Sequence, residues 1–188
     1  MNIPADKVLR LTMLLHDVAK PVCRTEDENG IHHFHGHPQV GAEMSRKILR
    51  RLKFDNDTIH RVMALVRAHD DRPPLQGRSV RRAIYRNGTE QYPELFEVKR
   101  ADILAQSSFL QQEKLLYVDR YEHMYQQIME KEQCLSLKEL AVNGSDLIAR
   151  GIQPGKEIGE ILHQMLEKVL EEPELNEKEV LLAWYFKA

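Results

Sequence analysis

Cysteine is scarce in this chain: Cys23 and Cys134 are the only two among 188 residues, and neither belongs to a Cys-x-x-Cys pair. That excludes a disulfide framework and a thiolate zinc finger, and it reads as two reduced thiols. Long apolar runs are lacking as well. Nothing approaches the roughly 20 consecutive residues that a membrane-spanning helix needs, and no charged-then-apolar leader opens the chain. The expectation is a soluble, cytoplasmic protein with no membrane partner. The alternating pattern of strands is close to absent, and there is neither a tandem repeat nor a low-complexity tract.

What is present is helical periodicity and an uneven charge. Hydrophobic residues make up 42% of the chain, enough for a sizeable core. The net charge of −2 hides an asymmetry: residues 43–100 carry 14 Lys and Arg against 8 Asp and Glu, and residues 101–188 carry 9 against 16. The basic positions Arg46, Arg50, Arg78, Arg81 and Arg82 could follow a phosphate backbone, so RNA is a candidate partner. A solvated helix face is the alternative reading, and both stay open.

Pro4 suits a first helical turn, and Val8, Leu11, Leu15 and Val18 continue that helix until Lys20-Pro21. Val40, Met44, Ile48 and Leu52 mark a second helix. Asp55 or Asn56 caps a third that ends near Asp70. Ser79 is placed to cap a short helix closed by Asn87-Gly88, and Pro93 to open a long one running from Phe96 towards Met124. In the tail, Ser145 is placed as the cap of a brief helix ended by Gly151. Pro154-Gly155 opens a helix stopped by Pro173, and Asn176 with Glu179 is spaced as a capping box for a last one ending at Trp184. The predicted fold class is all-α.

The chemistry lies in histidines and aspartates. His16-Asp17 is read inside an apolar helix, where an unpartnered charge is expensive and a divalent metal would satisfy both. His37 opens the second helix, His69 closes the third, and Asp102 sits mid-helix between Ala101 and Ile103. All are nitrogen or oxygen ligand types. A lone histidine of this kind is more often a hydrogen-bonded core residue, but a group of such residues in one small helical chain weakens that reading. Of the tract His32, His33, His35 and His37, only His37 is taken as a ligand. In the tail, Gly151-x-x-Pro154-Gly155 is a hairpin whose backbone amides could meet a phosphate, or a plain connection between helices.

The string Leu14-Leu15-His16-Asp17-Val18-Ala19-Lys20-Pro21, followed by Phe34-His35-Gly36-His37-Pro38-Gln39-Val40-Gly41-Ala42-Glu43-Met44, resembles the HD superfamily of metal-dependent phosphohydrolases. It is more closely similar to the HD domain and tail of bacterial CCA-adding tRNA nucleotidyltransferases and poly(A) polymerase-like proteins. Val66-Arg67-Ala68-His69, Arg100-Ala101-Asp102-Ile103-Leu104-Ala105 and the tail from Asn143 to Gly159 fit the same pattern. The resemblance implies a helical HD-like bundle over 1–134 and a smaller helical tail, a candidate tRNA contact, over 135–188. It implies His16, Asp17 and Asp102 as metal ligands, with His37 and His69 as second-metal or phosphate-binding groups. The cofactor would be a divalent ion such as Mg, Mn or Ni, and Asp17 could alternatively act as a general base through a water. Gly151 and Gly155 join the five arginines as RNA-contact candidates.

Two departures from the family shape the expectation. No histidine precedes His16, so the first ligand of the family's set is missing. The nucleotidyltransferase head, with its Gly-Ser motif and paired aspartates, does not occur in these 188 residues. The expected function is therefore that of the C-terminal, metal- and RNA-binding portion of a tRNA nucleotidyltransferase-like protein, unable by itself to build CCA ends. Two alternatives stand beside it: a phosphohydrolase acting on nucleotides or cyclic phosphodiesters, and a degenerate HD scaffold without metal.

Overall fold

A computed structural model describes residues 6–131 and 133–187, so Pro4 and its expected role lie outside the described residues. The fold is all-α, with one short two-stranded ribbon among the described residues. The chain forms two compact units, Met1–Arg72 with Asn87–Arg120, and Pro73–Arg86 with Tyr121–Ala188. Residues 73–86 and 121–134 thus lie in the second unit.

The first unit is built from α1 (Lys7–Leu15), α2 (Lys20–Cys23), the ribbon β1 (Thr25–Glu26) and β2 (His32–His33), α3 (His37–Arg51), α4 (Asn56–Ala68), α6 (Tyr92–Ala105) and the start of α7 (Gln111–Glu130). Asp6 caps α1, its carboxylate accepting from the Val8 and Leu9 amides at 2.7 and 3.1 Å. Asp55 caps α4 through the Thr58 amide, as its sequence position predicts. Apolar stripes from α1, α3, α4 and α6 close a core that includes Val8, Leu49, Val62, Leu65 and Phe96. Gly41 of α3 is buried against Val66 and the His16 carbonyl, where a Cβ would make ordinary contacts at 3.4 and 3.6 Å.

Two helices are shorter than their patterns suggest, and both breaks matter. α1 ends at Leu15 instead of continuing to Lys20, so His16 and Asp17 occupy a turn and not a helix interior. Pro21 explains it, because proline has no N–H for the carbonyl four residues back, which is that of Asp17, and its ring clashes there. The segment instead closes with Val18 donating to the Leu15 carbonyl and Lys20 donating to the Asp17 carbonyl. The long helix expected from Pro93 past Met124 likewise divides into α6 and α7. Gln106 leaves α6 in an extended conformation, Ser107-Ser108 follows, and Leu110 turns with φ of 52°.

The second unit contains α5 (Gly77–Asn87, its last residue being assigned to the first unit), the remainder of α7, α8 (Gly144–Ala149), α9 (Lys156–Glu171), a 3₁₀ turn (Pro173–Leu175) and α10 (Lys178–Lys187). Its core includes Ile84, Tyr121, Leu147, Ile161, Met165, Leu166 and Leu181. Three expected caps are corrected. α5 begins at Gly77, placing Ser79 inside it. Asn143, not Ser145, caps α8, in a reciprocal box with Asp146. Asn176 does not box with Glu179; its amide is engaged by the Ala141 amide and the Glu139 carbonyl, and α10 runs to Lys187 rather than stopping at Trp184.

Candidate metal centre

Three histidines of the first unit share one local geometry. His16 and His69 sit at the C-terminal ends of α1 and α4, and His37 starts α3. Each ring hydrogen-bonds through Nδ1 to the main-chain carbonyl three residues earlier: His16 to Met13 at 2.8 Å, His37 to Phe34 at 2.8 Å and His69 to Val66 at 2.7 Å. A carbonyl oxygen only accepts, so Nδ1 carries a proton; in a neutral ring Nε2 then keeps its lone pair, and a second proton on His16 Nε2 is donated to the carboxylates beside it. All three Nε2 atoms turn toward the same small space.

Asp17 meets them there. Its Oδ1 lies 3.4 Å from His37 Nε2 and 3.6 Å from His69 Nε2, and the two Nε2 atoms are 3.3 Å apart. These three ligand atoms lie within 4.8 Å of one another. His37 and His69 are buried, and Asp17 Oδ1 is a buried oxygen with no hydrogen-bond partner. Two imidazole nitrogens and a carboxylate oxygen that face one another at these distances repel unless a proton or a metal cation stands between them. The residues present therefore fit a divalent ion with mixed nitrogen and oxygen ligands.

His16 and Asp102 form the other side of the cluster. His16 Nε2 is 3.3 Å from both Asp17 Oδ2 and Asp102 Oδ1. The Asp102 hydrogen bond raises the His16 imidazole above its ordinary pKa, against the opposing effect of burial. Burial pushes the Asp102 carboxyl upward, but hydrogen bonds from His16 and from Gln106 at 2.8 Å outweigh it and hold it below the ordinary range. Burial lowers His69, which keeps that ring neutral and ligand-competent. Lys20 donates to Asp17 Oδ2 at 2.6 Å.

All five sequence-derived ligand candidates thus come together, in a different grouping from the expected one. The tightest set is Asp17, His37 and His69, with His16 and Asp102 joined to it through hydrogen bonds. His32, His33 and His35 stand apart on or beside the ribbon, where His33 pairs with Asp27 at 3.0 Å and stacks on His35. Sequence reasoning passed over Lys20, read only as a helix stop, and Lys99, which occupies the buried stripe of α6 with Tyr92, Leu95, Phe96 and Ile103. A lysine on an apolar face was the available signal. Beside the cluster lies a cavity of about 270 Å³ lined by His69, Asp102, Arg72, Lys99, Lys114 and Tyr117, among others. Burial pushes the Tyr117 hydroxyl up to about 12, so it remains a proton donor at neutral pH.

The arginines expected to meet RNA have diverse surroundings. Arg46 pairs with Glu43 at 2.8 Å, and Arg50 is exposed in the last turn of α3. Arg78 and Arg82 pair with Glu171 and Glu167 at 3.5 and 2.8 Å. Arg81 is withdrawn from the surface, with 8% exposure. Its guanidinium donates to the Leu170 carbonyl at 2.7 Å, the Glu171 carbonyl at 2.9 Å and Gln133 Oε1 at 3.3 Å, satisfying orphan carbonyls at the end of α9. The sequence offered it as a phosphate contact; in the fold its guanidinium caps the end of α9. Gly151 is exposed with φ of 95°, and Gly155 precedes α9 without a side-chain cap.

Comparison with known proteins gives these features a family. The chain is 35% identical over 159 residues to a CC-adding tRNA nucleotidyltransferase of Thermus thermophilus, covering 84% of this chain and 35% of that protein. It is 33% identical over 167 residues to an A-adding tRNA nucleotidyltransferase of Deinococcus radiodurans, covering 87% and 38% respectively. The chain therefore spans little more than a third of the length of these relatives. No solved structure matches it. Residues 25–185 match the family described as tRNA nucleotidyltransferase domain 2, a span that takes in His37, His69 and Asp102. By that match and those identities, the chain belongs to the tRNA nucleotidyltransferase domain 2 family.

Proposed function

We propose that this chain is the metal-binding, RNA-handling module of a tRNA nucleotidyltransferase-like protein, with an HD-type centre made by His16, Asp17, His37, His69 and Asp102. The observation that carries it is the convergence of His37 Nε2, His69 Nε2 and the buried, unpartnered Asp17 Oδ1. The module reading divides the chain into an HD-type part over 1–134 and a tail over 135–188. The names of the relatives support tRNA as the RNA, and the excess of basic residues over 43–100 supports contact with its phosphates.

A divalent ion such as Mg, Mn or Ni would supply Lewis acidity toward a phosphoryl oxygen and toward water at this centre. The protein's own residues do the rest. The three Nδ1–carbonyl hydrogen bonds orient the imidazoles, Lys20 anchors one carboxylate oxygen of Asp17, and Asp102 holds His16. The cavity beside the cluster favours a second reading, hydrolysis of a small phosphoester. In that reaction the oxygen of water bonds to phosphorus as the ester P–O bond breaks, Asp17 accepts the water proton, and the departing oxygen is protonated from solvent.

The test is a Mn²⁺ titration of the chelator-stripped protein followed by electron paramagnetic resonance. One bound ion per chain is expected for the wild type and none for Asp17→Ala. Equal behaviour of the two proteins would reject the centre. Release of phosphate or nucleoside from a panel of mononucleotides and 2′,3′-cyclic nucleotides distinguishes the hydrolytic reading from a purely structural one.

A further inference from the structure

Lys99 is the least expected residue of the first unit. It lies in the apolar stripe of α6 with 5% exposure, one turn before Asp102 on the same helix face. A lysine there loses the hydration of its ammonium, and burial pushes it down to about 8. Its Nζ reaches three main-chain carbonyls at the end of α4: Ala68 at 3.4 Å, His69 at 2.8 Å and Asp71 at 2.6 Å. An ammonium has three protons, so all of its donors are engaged. Although Lys99 lines the cavity beside the cluster, it has no proton left for a ligand, unlike a phosphate-binding lysine. The other two cations of that cavity, Arg72 and Lys114, are directed to Asp70 and Gln106.

The geometry points to a different task. The carbonyls that Lys99 gathers belong to the terminal turn that carries His69, whose ring is itself tied to the Val66 carbonyl. Asp102, three residues on from Lys99, holds His16. The cluster thus takes His69 from the end of α4 and Asp102 from α6, beside His16, Asp17 and His37 from the end of α1 and the start of α3, and Lys99 is a polar link from α6 to the backbone at the end of α4. We propose that Lys99 is a positioning residue for the metal centre, registering the α6 carboxylate of Asp102 against the imidazole of His69 by clamping the carbonyls of Ala68, the last residue of α4, and of His69 and Asp71 in the turn after it. This rests on the metal reading above.

The test uses the full 188-residue protein and reads Mn²⁺ affinity together with the visible absorption of bound Co²⁺, which reports ligand geometry. Lys99→Met keeps the length and removes the donors. Val62→Ala removes buried volume from α4 without touching the cluster, and it controls for general loosening. Residues that orient ligands typically contribute a factor of about 10 to 100 in metal affinity. Lys99→Met is expected to weaken Mn²⁺ by that factor and to alter the Co²⁺ spectrum. Val62→Ala should remain within about threefold of wild type, and Lys99→Arg should recover part of the loss. If Lys99→Met does not fold, Lys99→Gln, which keeps two donors, carries the comparison. A wild type that binds Mn²⁺ alongside a Met or Gln variant that binds it equally well would overturn the positioning role alone. Equal weakening by Val62→Ala would do the same. A wild type that binds no Mn²⁺ would reject the metal reading, and the role of Lys99 with it.

Discussion

Arg81 and one carboxylate oxygen of Asp17 are polar groups withdrawn from solvent, one in each compact unit, and they end in opposite states. The Arg81 guanidinium finds two carbonyls and an amide oxygen waiting at the end of α9. Asp17 Oδ1 finds two imidazole nitrogens whose protons point away, and no donor. A saturated polar group in a core contributes rigidity, whereas a set of acceptors left facing one another holds a repulsion that a shared proton or a bound cation relieves. The second unit uses its buried charge to close its own helix. The first leaves one buried carboxylate oxygen, Asp17 Oδ1, without a donor.

The largest effect that would break this contrast is at Asp17. An ion bound only by the folded state stabilises it by about 2.7 kcal/mol at a hundredfold excess over Kd. The wild type should therefore melt measurably higher in Mn²⁺ than in chelator, and Asp17→Ala should lose that increment. Thermal melts under the two conditions decide it; an increment preserved in the variant would make the cluster a plain hydrogen-bond network.

Arg81→Ala should be nearly as costly by a different route. It strands the Leu170 and Glu171 carbonyls, and loss of such charge-assisted hydrogen bonds costs about 2 to 3 kcal/mol. The loss should show in urea melts and be indifferent to metal. A change of RNA affinity at unchanged stability would return Arg81 to the phosphate-contact set.

The pH dependence sharpens the comparison at smaller scale. His16 is raised by Asp102, so in the metal-free protein this pair contributes stability that is fully present below about pH 6.5 and is lost as pH rises through the higher folded pKa. Ion binding needs the same imidazole neutral. Mn²⁺ affinity should therefore climb by up to about tenfold per pH unit and level off at a pH above about 6.5. Calorimetry across pH 5 to 9 provides the curve, and a plateau reached well below about 6 would remove His16 from the centre.

Smallest is the effect at Arg82, whose pair with Glu167 lies on the surface. Arg82→Ala should change stability by less than about 1 kcal/mol. If Arg82 also meets RNA, the slope of log affinity for tRNA against log salt should fall by about 0.7 to 0.9. An unchanged slope would place Arg82 with the solvated face.

Much of the site was legible before the fold. His16, Asp17, His37, His69 and Asp102 stood out because ionisable groups beside apolar stripes require partners, and the structure brings the five together. The alternation of stripes with Gly, Pro and Asx signals also located most helices. What local pattern misled was the continuity of α1 and of α6 with α7, and the caps at Ser79, Ser145 and Asn176. A hydrophobic period continues across a turn when the turn is itself packed, and several side chains compete for each orphan amide.

The sequence by itself determined the all-α class, the set of ligand-type side chains and the helix ends at His37 and His69, because periodicity, proline geometry and capping are local. Only the tertiary structure decided that Lys99 ties α6 to the end of α4 and that Arg81 closes α9. Those outcomes depend on which carbonyls arrive beside a side chain from segments about 30 and 90 residues away, as the Lys99 and Arg81 hydrogen bonds show. Such distances lie beyond any window over which hydrophobic period or turn chemistry acts.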